Sequence, residues 1–101
     1  MKTGSIVLAS VRQIVGITPL RESFTVQLLS ANLSGDTTVN LQLSLDKTNW
    51  SNAQEGGTDI ALTLVDDAPL VRSFGVDAGI YFRLLFAGAT TGTVAYIHNG
   101  L

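Results

Sequence analysis

His98 is the one histidine of the chain and cysteine is absent. Any Ser-His-Asp arrangement must therefore use His98 as its base, while Cys-His chemistry and thiolate metal sites have no residue to start from. His98 lies close to the end of the sequence, where a base is hard to hold in position, and it reads as a polar residue on a final strand. The carboxylates Asp36, Asp46, Asp59, Asp66, Asp67 and Asp77 are of the type that pairs for acid–base work or holds calcium through oxygen. Most of them stand at turn positions instead, where an aspartate bonds the nearby backbone. No Asp-x-Asp-x-Asp-Gly loop is present, and Gly56-Gly57 is followed neither by Lys-Ser/Thr nor by a helix that would cradle phosphate. These residues argue for a protein that is not an enzyme and that needs no metal and no cofactor.

Three other side chains are candidates for contact with a partner or ligand: Trp50, Tyr81 and Arg83. Trp50 leaves the turn Asp46-Lys47-Thr48-Asn49. An aromatic face on a loop can hold a sugar ring, with Tyr81 or Tyr96 as a second platform, so carbohydrate is one reading of Trp50 and buried area in the core is the other. Arg83 interrupts the apolar run Ile80-Tyr81-Phe82-Arg83-Leu84-Leu85-Phe86. A buried arginine is rarely left unpaired; either it meets an acid such as Glu22 or Asp77 at a subunit contact, the favoured reading, or it points to solvent on an outer face.

The elements that must position these residues are strands. Apolar residues alternate with polar ones at a period of two, between clusters of Gly, Asn, Asp, Ser and Thr. Phe24, Val26 and Leu28 share a face, as do Val39, Leu41, Leu43 and Leu45, and then Ile60, Leu62 and Leu64. A short strand from Leu70 to Phe74 opens on Pro69, which suits a strand start or a sheet edge because proline donates no ladder bond. The run from Ile80 to Phe86 is apolar on both sides and reads as a central strand or one beneath a partner. Gly88 to Gly92 predicts a hairpin into the last strand, Thr93 to His98. No long helix fits. The fold class is all-β: a seven- to eight-stranded antiparallel β-sandwich, of jelly-roll or immunoglobulin-like type. One domain is expected, with residues 1–20 as an N-terminal strand or arm and 21–101 as the sandwich.

Composition narrows the partners. Charged residues make up 14% of the chain against 46% hydrophobic, and the typical charged share is about 25%. A surface so neutral points to cover by other protein, the chain itself as a homo-oligomer included. Six basic residues and a net charge of −2 argue against nucleic acid, whose phosphates demand clustered Lys and Arg. No apolar run reaches the roughly 18–20 residues of a membrane helix. Arg12 and Gln13 interrupt the first apolar stretch, so the N-terminus reads as a strand and not as an export signal.

Ser44-Leu45-Asp46-Lys47-Thr48-Asn49-Trp50 resembles the Ser-x-Asp-x-x-x-Trp hairpin of many β-sandwich and propeller modules, the Asp-box among them, where Ser and Asp fix a turn and Trp anchors it in the core. More widely, Val39 to Asp46 leading to Asn49-Trp50, then Ile80 to Leu84, then Gly88 to Gly92-Thr93-Val94 resemble small virion structural proteins of tailed bacteriophages. Those proteins carry glycine where this chain has Lys47. The resemblance implies a virion component made in the host cytoplasm: a capsid decoration or cement subunit that contacts the major capsid protein, or a tail, baseplate or fibre subunit that contacts a tail protein.

Overall fold

The computed structural model describes residues 2–8, 12–21, 23–88 and 91–100. Eleven strands run through them: β1 (Lys2–Val7), β2 (Arg12–Ile17), β3 (Ser23–Ala31), β4 (Thr37–Ser44), β5 (Ser51–Asn52), β6 (Gln54–Glu55), β7 (Thr58–Asp59), β8 (Ala61–Leu64), β9 (Pro69–Gly75), β10 (Tyr81–Ala87) and β11 (Thr93–His98). Eight of these have four residues or more. One sheet has the order β1-β11-β3-β9; the other is built as β2-β10-β4, with β5 and β8 both along the far side of β4. All the pairings are antiparallel. The eight longer strands thus follow the order of a jelly roll, two four-stranded layers whose successive strands mostly alternate between sheets.

The alternation seen in the sequence becomes the core. From the first sheet Phe24, Val26, Leu28, Phe74 and Val94 point inward; from the second come Val39, Leu41, Leu62, Phe82, Leu84 and Phe86, all of them buried. Phe24 stacks on Phe82 at 4.4 Å and tilts against Phe74 at 5.3 Å, so three rings tie the two layers together. A fully buried side chain of this size contributes roughly 2–3 kcal/mol through the apolar area it removes from water. Gly16 on β2 makes room for them: a Cβ there would stand 2.7 Å from the Phe82 ring and 3.2 Å from His98 Cε1.

Several expectations from the sequence change here. The last two strands do not form a hairpin: β10 pairs with β2 and β4, whereas β11 pairs with β1 and β3. The connection crosses from one sheet to the other, past Gly88, which has φ 116° and where a Cβ would fall 2.2 Å from the Asp36 carbonyl oxygen. Glycine near a strand end signals left-handed backbone, and that backbone serves a crossover as readily as a turn. Leu45 does not continue the inward face of β4; the strand ends at Ser44 and Leu45 is 83% exposed. Within residues 1–20, Lys2–Val7 pairs with β11 and Arg12–Ile17 pairs with β10, one strand in each sheet.

The edge partner of β4 is split. Leu41 accepts from Ala53 N at 2.9 Å and donates to the Ile60 carbonyl at 3.2 Å, while Ile60 N donates to the Ala53 carbonyl at 2.8 Å. Between Ala53 and Ile60 the chain leaves the sheet as the β6–β7 ribbon, turning at Gly56 and Gly57 with φ 62° and 82°. Two positive φ values in a row are those of a type I′ turn, which glycine adopts without steric cost. Arg72 of β9 pairs with Glu55 of the ribbon at 3.6 Å, so the excursion reaches the edge strand of the first sheet.

Candidate functional site

Ser44 and Asp46 organise the loop that carries Trp50. Ser44 Oγ accepts from the backbone N–H of Asp46 at 3.1 Å and of Lys47 at 3.0 Å, and lies 2.9 Å from Asp46 Oδ1 as a donor. Asp46 Oδ1 also accepts from the N–H of Thr48 and of Asn49, both at 2.8 Å, and Oδ2 accepts from Asn49 Nδ2 at 2.8 Å. With the two backbone bonds as the largest causes, these donors hold the Asp46 carboxyl well below its usual range. Lys47 takes the left-handed backbone, φ 63°, a conformation that favours glycine. The motif is thus a self-contained turn, and its carboxylate is engaged within its own loop.

Trp50 is half-buried. Rather than anchoring in the core, it lies on the outer face of the second sheet, where its Nε1 donates to the Lys47 carbonyl at 3.2 Å and the Arg83 guanidinium sits 4.5 Å from its ring. Arg83 is placed there by the parity of β10, whose alternate residues Phe82, Leu84 and Phe86 are buried. Its Nε donates to Gln42 Oε1 at 2.8 Å, Nη2 donates to the same oxygen, and Nη1 donates to Gln13 Oε1 at 3.2 Å. Among the described residues of this chain neither Asp77 nor another carboxylate pairs with Arg83, and the ion pair found there joins Arg72 to Glu55; Glu22 falls outside the described residues, and an acid supplied at a subunit contact belongs to another copy. Tyr81, two residues from Arg83 on the same face, has Lys47 Nζ 4.6 Å from its ring centre. The structure therefore brings Trp50, Tyr81 and Arg83 into one cluster, each aromatic ring with a cation over one side.

Tyr96 is elsewhere, on the inward side of β11, stacked on His98 at 6.0 Å. His98 is 2% exposed and meets Phe82 edge-on at 5.2 Å. Neither of its ring nitrogens has a partner at full hydrogen-bonding geometry. Burial, the largest cause, pushes its pKa below the ordinary 6.5; the Gly100 backbone pulls the other way and the Lys2 charge adds to the depression. It is a core residue. Among the described residues no three of His, Asp and Glu converge as a metal centre.

What the sequence reading missed was Gln13, Gln42 and Lys47 around the candidate trio, and the distribution of charge over the two outer faces. Among the described side chains of the two large sheets, Arg83 is the one ionised group on an outer face. Lys2 and Arg72 stand on edge strands with the inward parity, opposite His98 and Val26. The first sheet's outer face has none: in register it reads Thr3, Ile97, Gln27, Val71 across one row and Ser5, Ala95, Leu29, Pro69 across the next. Four sizeable apolar side chains are exposed on it, Val7 at 64%, Val71 at 59%, Leu29 at 44% and Ile97 at 37%. Single residues of this kind are ordinary on a surface; a whole sheet face without charge is a larger feature than that. Compared with protein-family models and with curated proteins, the sequence matches none.

Proposed function

We propose that this chain is a non-enzymatic structural subunit of a tailed-phage virion, a capsid decoration or cement protein that stabilises the shell by protein–protein contact. Its mechanism is adhesion: neutral sheet faces give up water to neighbouring protein, and repetition by symmetry multiplies contacts that are individually weak. The supporting observation is the placement of charge. The described ionised groups stand in loops, on the β6–β7 ribbon and on sheet edges, and the outer faces of the two large sheets carry Arg83 alone. A protein meant to stay alone in water distributes charge over such faces. The likeness to small virion proteins at Val39–Trp50 and Ile80–Leu84 supports the same reading.

The test is a phage from which the gene has been deleted. Purified particles lacking the chain are expected to release DNA at a lower temperature than wild-type particles, with restoration when the purified chain is added back. Absence of the chain from density-banded wild-type particles overturns the proposal, and its recovery with detached tails would move it to a tail, baseplate or fibre subunit. A carbohydrate-binding module is the reading from a different class, favoured by Trp50 and Tyr81 sharing one face. Arg83 and Lys47 already cover one side of those rings, so glycan-array binding abolished by Trp50→Ala in a folded variant is what that reading requires.

A further inference from the structure

We infer that the outer face of the β1-β11-β3-β9 sheet pairs with the same face of a second copy of this chain, sheet against sheet across a two-fold axis. This rests on the adhesive reading above and deepens it by naming one face and its occupant.

Charge decides between the two sheets. A two-fold contact sets each patch against itself, so any charge near the axis meets its own sign. On the second sheet that juxtaposition is unfavourable: Arg83 has amide oxygens and no carboxylate as partners among the described residues, and Lys47 lies beside it over Tyr81. On the first sheet the cost is absent, because the rows through Gln27 and Leu29 contain no ionisable side chain. Val7, Leu29, Val71 and Ile97 then supply apolar area, and Thr and Gln between them can bond across the joint or keep water.

The area is sufficient for a modest dimer. Four strands about 4.8 Å apart and about six residues long at about 3.4 Å each make a face roughly 20 Å on a side. Its corrugated surface buries roughly 1,000 Å² over both copies, the lower end for a specific pair. The expected association is therefore weak, on the order of tens of micromolar. Because no ion pairs hold it, it does not weaken when salt screens charges.

The experiment is sedimentation equilibrium on the isolated chain from about 1 μM to about 1 mM, at about 0.05 M and about 1 M NaCl. A reversible dimer is expected at both salts. Val71→Lys and Leu29→Lys should each weaken it at least about tenfold, whereas Leu85→Lys, on the outer face of the other sheet, should leave it intact. Gln27→Lys is a milder substitution at the centre of the face and replaces either variant whose circular dichroism shows loss of fold. A monomer throughout, a dimer dissolved by salt, or a dimer broken by Leu85→Lys and not by the first-sheet variants overturns the inference. So does a first-sheet face whose side chains are open to hydroxyl-radical labelling in the isolated chain at every concentration and become protected on particles, since the shell would then be its partner. Failure here with restoration of particle stability intact removes the dimer and leaves the virion role; a dimer without particle attachment does the reverse.

Discussion

Asp46 holds its loop through acceptors that are strongest while the carboxyl is ionised. Four donors converge on its two oxygens, from Ser44, Thr48 and twice from Asn49. Its pKa in the fold is depressed below the ordinary 3.8, so the stability it contributes is present above about pH 4 and is lost as pH falls further. Asp46→Ala should lower the melting temperature at pH 7 and lessen the acid-induced decline below pH 4, read by circular dichroism melts. His98 titrates in the opposite chemical sense with the same pH direction. A buried imidazole whose folded pKa lies below 6.5 favours the fold above that pH, and the unfolded chain takes up the proton first as pH falls below it. Melting temperature should accordingly decline from about pH 6.5 towards 5, and His98→Phe, if it folds, should flatten that part of the curve. A profile unchanged by the substitution would mean that His98 is not the group responsible.

At the scale of elements, one confined position inside a strand is Gly16, where β2 passes Phe82 and His98. A methyl group at 2.7 Å from an aromatic ring must push the ring or the strand aside, and overpacking of this kind costs about 1–3 kcal/mol. Gly16→Ala should lower the denaturation midpoint in urea with little change in slope. Arg83 and Trp50 offer a second measurement: a double-mutant cycle with Arg83→Met and Trp50→Leu should give a coupling of about 0.5–1 kcal/mol, the usual size for a guanidinium over a ring near the surface. The strands themselves were legible because their inward sides alternate so cleanly, as in Phe24 to Leu28 and Ile60 to Leu64, and Pro69 announced an edge. The crossing from β10 to β11 was not legible, since the glycines at 88 and 92 signal left-handed backbone and say nothing of which sheet receives the next strand. The surroundings of Arg83 were hidden for a related reason. Parity places Tyr81 and Arg83 on one side of β10, but Gln13 and Gln42 come into reach through pairings with β2 and β4 that no local pattern encodes. Of the two readings that sequence allows for Trp50, the core anchor is corrected, because its own loop and Arg83 hold the ring on the outer face.

For the molecule as a whole, the jelly-roll order places β1 beside β11. Lys2 faces His98 and Val7 faces Thr93 in β1–β11, and β2 lies against β10. Contacts that span nearly the full sequence must close large loops before any pairing rewards them, and domains dominated by such contacts fold in milliseconds to seconds instead of microseconds. Refolding from urea, followed by Trp50 fluorescence in a stopped-flow instrument, should fall in that slow range. During synthesis β1 must wait for β11 to emerge, so half-made chains expose an unmatched strand edge. Expression at lower temperature, or with a chaperone that shelters such edges, should raise the yield of properly assembled material.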